Sequence, residues 1–280
     1  MLFRSDPKED HALAVKALLF NPVGFNLLLV LIFASWGLVT HSLRNWSIAQ
    51  DKDGAAHWTV KSRKLAAGGI FWFAFSVTLV CFFLMKSLQH QFFSTMYGVY
   101  YFAGSVWTTL ATIYGLAIYF SRPGGPLEKV IFKRQIHDLG VLFFAFTVFY
   151  AYIHFSQYFL IWNAAMPEET FWYVRREAGT WKWVGFTILF GHFFVPFLTI
   201  LNQDIKRNWS IMRWVIVWAW LMHYVDMTFN VMPIPYPNGL HLSVIDLVCL
   251  PALVAVLWWR FRTQYGKHAP YPLRDPRLKE

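Results

Sequence analysis

Seven stretches of this chain stay apolar over a length that crosses a bilayer, and that limits the fold more than any other feature. They lie at about 22–40, 65–85, 96–120, 138–162, 183–201, 214–230 and 242–259. The ~30 Å hydrocarbon core of a membrane takes roughly 20 helical residues. The pattern predicts an all-α integral membrane protein of about seven transmembrane helices, organised as a single transmembrane domain over 1–280. The segment 264–280, with three prolines and alternating charges, is expected to be an extended cytoplasmic tail lying on a partner or in solvent. Composition agrees: 57% of residues are hydrophobic and only 14% charged, against about 25% charged in soluble domains.

The formal charge of +10 would suit a nucleic-acid binder, but the basic residues sit between the apolar runs, where they read as orientation signals and not as a nucleic-acid surface. With seven spans, one side of the membrane carries 7 Lys and Arg and the other 18. The richer side, which includes the C-terminus, is assigned to the cytoplasm, and the N-terminus to the outside. An outward N-terminus with no cleavable leader leads to the expectation that upstream helices are missing from this chain. A short amphipathic stretch, His11 to Phe20, precedes the first span. Cys81 and Cys249 lie far apart in apolar runs with no CxxC or CxxCH, so disulfides, iron–sulfur ligation and covalent haem have no support. Tryptophans near span ends, such as Trp162, Trp183, Trp214 and Trp258, are interface anchors.

The stretch from Gln135 to Thr170 is the most informative. Thr147, Tyr150, His154 and Gln157 recur at steps of three, four and three, which stacks them on one helical face. A histidine inside a membrane span is costly unless it faces protein or water, which makes it a functional candidate. The third span carries Tyr97, Tyr101, Ser105, Thr108 and Thr112 as a hydroxyl face. The fifth holds Thr187, His192 and Thr199 with Pro196, whose missing N–H frees a carbonyl and bends the helix. The sixth holds His223, Tyr224, Asp226 and Asn230; the seventh begins with His241 and contains Asp246. His154, Asp226 and Asp246 fall in the outer half of the membrane and His192 near its middle. Such a set suits a proton relay through imidazoles, carboxylates and hydroxyls. The competing reading is a polar network that holds a helix bundle together. One haem held between His154 and His192 or His223 is a further alternative. No catalytic residue and no metal-ligand set is expected. The Pro167-Glu168-Glu169 loop and the tail are expected docking surfaces for partner subunits.

Three motifs carry a family resemblance: MKSLQHQFFSTMYGVYYFAGS, then HDLGVLFFAFTVFYAYIHFSQYFLIWNAAMPEET, and the tail APYPLRDPRLKE. In these the chain resembles the membrane subunits of bacterial alternative complex III, a quinol:cytochrome c oxidoreductase. It is most similar to the second polysulfide-reductase-type anchor, the quinone-binding subunit 2. The resemblance runs over nearly all 280 residues. Family members have ten spans in two four-helix bundles and a peripheral pair, and the motifs here align with the last seven. About three N-terminal helices are therefore expected to be lost or to sit on another chain. The family's quinol pocket belongs to the first bundle, of which two helices would be absent. The second bundle, one up-down four-helix bundle, corresponds to spans three to six. A proton route proposed for that bundle falls here on His154, His192, His223 and Asp226, with Tyr97, Thr108, Thr112 and Tyr150 as lesser members; the pattern of polar residues itself adds Gln157 and Asp246 to the expected path.

The resemblance implies a subunit of a respiratory complex in the bacterial inner (cytoplasmic) membrane that is not itself the site of redox chemistry and holds no cofactor. Haem c and iron–sulfur clusters would lie in partner subunits on the outer face, and menaquinol in the sister anchor. Its partners would be lipid, that sister anchor, and the iron–sulfur and multihaem cytochrome c subunits. The alternatives are a subunit that itself binds quinol or haem b, and a free-standing transporter.

Overall fold

The computed structural model describes residues 21–276, apart from 90, 93 and 242. The His11–Phe20 stretch lies outside the described residues. Regular structure among the described residues is helical throughout. In order, the helices are α1 (Pro22–Asp53), α2 (His57–Leu84), α3 (Tyr97–Ser121), α4 (Lys133–Ala164), α5 (Pro167–Glu177), α6 (Trp181–Leu201), α7 (Gln203–Lys206), α8 (Trp209–Val231) and α9 (Val244–Tyr265). A short 3₁₀ turn spans Lys86–Gln89. Six of these, α1, α2, α3, α4, α6 and α9, are long and apolar enough to cross a membrane, which marks a multi-pass membrane protein. Each expected span falls on a helix. The sixth, on α8, is not among the six: its tryptophans, His223, Asp226 and Asn230 dilute its hydropathy.

Two loops expected from the sequence are helical. The polar segment after the first span is the continuation of α1 and the start of α2, with only a three-residue turn between them. A helix satisfies its own backbone in water as in lipid, so it has no need to stop where the apolar run ends. Pro-Glu-Glu likewise opens α5. Pro167 takes a first-turn position and Glu168 and Glu169 follow in that turn, where a missing N–H costs nothing and negative charge meets the positive helix end. The preceding helix α4 stops at Ala165, in left-handed backbone at φ 51, whose N–H reaches Ile161 O at 3.2 Å.

The chain divides into two compact units. Among the described residues, one comprises 21–32 with Ala74–Leu240, the other Phe33–Phe73 with 241–276. In the second unit, α1 ends at Gly54, at φ +71, a conformation glycine adopts without the Cβ penalty. Asp53 accepts from Ala55 N–H at 2.9 Å and from Trp58 Nε1 at 2.8 Å, and buried Gln50 donates to Thr59 Oγ1 at 2.7 Å. The tail returns to this turn: Asp51 accepts from the N–H of Leu273 at 2.7 Å, and Arg274 Nη1 donates to Lys52 O at 2.8 Å.

In the first unit, α3 packs on α4 and on α8, α4 packs on the second half of α6, and α8 packs on the middle of α6. Glycines set the close approaches. A Cβ at Gly115 of α3 would lie 3.0 Å from Ile216 of α8, and one at Gly191 of α6 would lie 2.5 Å from Met222 Sδ. Small residues at such crossings let helices approach closely where no hydrophobic drive favours association in lipid. Two apolar clusters result. One gathers Cys81, Phe92, Tyr97, Tyr100, Trp172, Trp181 and Phe229; the other gathers Trp107, Ala111, Tyr114, Phe143, Ile200 and Met212.

Candidate functional site

Six buried polar groups of the first unit, Thr108, Thr147, Gln157, His192, Asp226 and Asn230, come from α3, α4, α6 and α8. On α3 the buried positions Tyr97, Tyr100, Gly104, Trp107, Ala111, Tyr114 and Ile118 recur at alternating steps of three and four. That spacing keeps one stripe of the helix facing inward. Gly104 admits its neighbours: a Cβ there would lie 3.1 Å from His223 Cε1 and 3.5 Å from Tyr150.

Asp226 on α8 is fully buried and is the hub of a hydrogen-bonded network. Its Oδ1 accepts from the Tyr100 hydroxyl. The Asn230 amide, one turn on, donates to the Tyr100 oxygen at 2.9 Å and to Asp226 O at 2.8 Å. Asn230 Oδ1 accepts from the Tyr97 hydroxyl at 3.0 Å. The Tyr100 and Tyr150 hydroxyls lie 3.3 Å apart. One connected set of polar groups thus joins α3, α8 and α4, in surroundings where an unmade hydrogen bond is costly.

The histidines stand differently. Among the described residues, fully buried His192 has a hydrogen-bond partner at neither ring nitrogen, and the same holds for Nδ1 of His154 and His223 and for Asp226 Oδ2. The faces of His192 are clamped. Trp107 stacks on it with ring centroids 4.1 Å apart and Tyr150 at 3.9 Å. Trp107 is fixed in turn by its Nε1–H to Thr147 Oγ1 at 2.8 Å, and Thr147 donates to Phe143 O at 2.9 Å. His154 rests against the rings of Tyr100 and Tyr150.

His192 lies in a π-helical segment, Ile188–Phe194, within α6. The cause is readable. In that segment Val195 N–H bonds to Phe190 O, one register wider than in an α-helix. The next donor in the wide register would be residue 196, which is proline and has no N–H. Gly191 O is thereby freed, and Trp218 Nε1 of α8 donates to it at 2.7 Å. The proline thus frees a carbonyl, as the sequence suggested, and the neighbouring helix supplies the donor.

The other residues singled out from sequence fall elsewhere. Thr108 and Thr112 donate to carbonyls of their own helix, Gly104 O at 2.9 Å and Thr108 O at 2.8 Å, and Thr112 also accepts from Trp220 Nε1 at 3.0 Å. They fasten helices and do not extend the network. Gln157 is buried with its Oε1 unbonded. Asp246 belongs to the second unit, where it closes a capping box at the start of α9: its Oδ2 accepts from Ser243 N–H at 2.9 Å. Glu168 is exposed and Glu169 partly so.

Sequence reasoning missed three residues. Tyr100 is the direct partner of Asp226, Trp107 clamps His192, and Arg176 of α5 is 1% exposed. Arg176 donates to Phe229 O at 2.9 Å, Asn230 O at 2.7 Å and Trp172 O at 2.9 Å, and stacks on the Trp172 ring at 3.5 Å. Burial pulls its guanidinium down to about 9, still above neutral, so it enters this interior as a cation. Its signal was one of spacing: Trp172 and Arg176 stand four apart on a short helix beside an apolar cluster.

Between α4, α5 and α6 a cleft of about 760 Å³ is lined mainly by aromatic and aliphatic side chains, with His154, Tyr150, Tyr158, Tyr173 and Arg176 among its polar members. No known protein-family model matches the chain, and no curated protein matches it.

Proposed function

We propose that this chain is an integral subunit of a respiratory quinol:cytochrome c oxidoreductase complex of the alternative complex III kind. In this reading α8 is a seventh span, α3, α4, α6 and α8 form an up-down four-helix bundle, and the protein sits in a bacterial inner membrane with its C-terminus in the cytoplasm. It scaffolds outer iron–sulfur and multihaem cytochrome c subunits and a sister anchor that takes menaquinol. Its own polar core serves as part of a proton path. The observation that carries the proton role is the continuous buried set Tyr97–Asn230–Asp226–Tyr100–Tyr150, flanked by His154. A carboxyl and hydroxyls in hydrogen-bonding contact pass protons by exchanging donor and acceptor roles. The exposed end of α5 with Pro167, Glu168 and Glu169 is the docking candidate for outer subunits.

The test is the proton-to-electron stoichiometry of the purified complex. Asp226→Asn keeps the shape of the side chain and removes the titrating group; His154→Phe removes the flanking imidazole. Both are expected to slow proton uptake coupled to turnover at least ~10-fold, a floor below the ~10²–10⁴-fold that a positioned proton donor contributes, while subunit content is unchanged. Wild-type stoichiometry and rate in both variants would sink the proton role.

The cleft favours a second reading, in which the chain itself binds quinol. About 760 Å³ lies within the range of small-molecule sites, and His154 is among the polar groups that line the otherwise mostly apolar cleft. A photoreactive quinone that labels only the sister anchor removes this reading; labelling of α4 or α6 favours it.

A further inference from the structure

We propose that His192, His223 and Asp226 form a buried site for one divalent transition-metal ion of the zinc class. Each offers one donor atom, and these atoms all lie within 4.8 Å of one another. The argument stands on which atoms are already engaged. Asp226 spends Oδ1 on Tyr100, leaving Oδ2 buried and unbonded. His192 is held by its two faces, between Trp107 and Tyr150, while both nitrogens at the ring edge are buried without a partner. His223 keeps Nδ1 unbonded against Gly104, where a larger residue would intrude. A ring fixed by its faces presents its in-plane lone pair, and a metal is bound along that direction. Three side chains on two helices thus bring one donor atom each to within 4.8 Å of the other two, and each of the three carries an unmet polar atom.

The local sequence supports the arrangement. His223 and Asp226 stand three apart on α8, the spacing by which helical bundles place an imidazole and a carboxylate on one metal. His192 comes from the π-helical segment of α6, and such segments recur at functional sites. Tyr100 and Asn230 both bond Asp226 at Oδ1 and hold its carboxylate, as hydrogen-bonded carboxylates around metals are held.

The donor set fixes the class of ion. Two imidazoles and one carboxylate suit Zn²⁺ and its first-row neighbours, whereas Mg²⁺ and Ca²⁺ prefer all-oxygen sites and Cu⁺ prefers sulfur. Cys81 is no competitor, being engaged with Tyr97 O at 3.8 Å. Three protein ligands leave a fourth position open, as in reactive zinc sites and unlike closed structural ones. Ligands of a tetrahedral zinc stand about 3.4 Å apart given bonds of about 2.0–2.1 Å, so binding draws the three groups together by up to an ångström or so. The broad χ2 torsions of Asp and His supply that movement.

The proposal goes beyond the proton reading and is tested without turnover, so either can fail alone. The full chain, purified in detergent and stripped with a chelator, is titrated with Co²⁺ and Zn²⁺. One ion per chain is expected, with the visible d–d absorption of protein-bound Co²⁺. His192→Gln, His223→Gln and Asp226→Asn are each expected to weaken binding at least ~100-fold, the upper end of what losing even an outer-shell partner costs. No binding by the wild type overturns the site; binding unaltered in all three variants overturns it as well and leaves an adventitious ion only. Should a variant fail to fold, zinc-edge X-ray absorption of the wild type decides: two imidazoles in the shell support the site, one or none overturns it.

Discussion

Arg176→Ala is expected to lower stability by about 3–5 kcal/mol, enough to reduce the yield of folded protein sharply. The reason lies at the end of α8. In a continuing helix the carbonyl of Phe229 would accept from residue 233, but Pro233 has no N–H. The carbonyl of Asn230 would accept from Ile234, whose N–H bonds instead to Val231 O. Both carbonyls are met by Arg176, and a cation at this pole of the helix is favoured by the dipole as well. Removing the guanidinium strands two buried acceptors at about 1–3 kcal/mol each and empties the space over Trp172. Arg176→Lys is expected to recover only part of the loss, because one ammonium cannot reproduce the planar fork or its stacking. Thermal denaturation checks this, followed by a thiol-reactive dye at buried Cys81 after exposed Cys249 is changed to Ser. Melting of Arg176→Ala within a degree of the parent would refute the account.

Trp107→Ala is expected to be as costly, about 3–5 kcal/mol, the usual range for deleting a large buried aromatic. Trp107 is fully buried among Phe143, Tyr150 and His192. Trp107→Phe keeps an aromatic face but loses the bond to Thr147 and part of the indole volume, so its expected cost is smaller, about 1–3 kcal/mol. The same dye assay separates the two. Equal losses would mean that the hydrogen bond, and not the packing, holds this part of the core.

The helices were legible because apolar length alone predicts them in a membrane protein, and the boundaries missed are those where helices run on into water. The candidate site was half legible. His192, His223 and Asp226 stand out in the sequence because polar groups in apolar runs are few. Tyr100 was obscured by the choice of stripe on α3. Following hydroxyls from Tyr97 to Tyr101, Ser105 and Thr108 traces steps of four, four and three, whereas the buried stripe passes through Tyr100, Gly104 and Trp107. Glycine and tryptophan carry that register as much as any hydroxyl does. The prolines were visible too, but the donors that meet their orphaned carbonyls, Trp218 for Gly191 and Arg176 for Phe229, lie 27 and 53 residues away in sequence. No local pattern encodes such a pairing.

On α6 the buried positions Val184, Ile188, His192, Pro196 and Ile200 run four apart, with Trp181 and Gly191 buried beside them. An ideal α-helix turns 3.6 residues per revolution, so over those sixteen steps the direction would wander by roughly 160°. The wider turn at Ile188–Phe194 takes up much of that phase error. In effect α6 contains one residue more than its path requires. Deleting a single residue there, for example Leu189, would restore an ordinary helix while swinging one half about its axis relative to the other. A shortened α6 could keep its two apolar ends seated only by giving up the direction in which His192 points. The surplus residue is thus what lets one helix serve two phases, with the imidazole placed at the join.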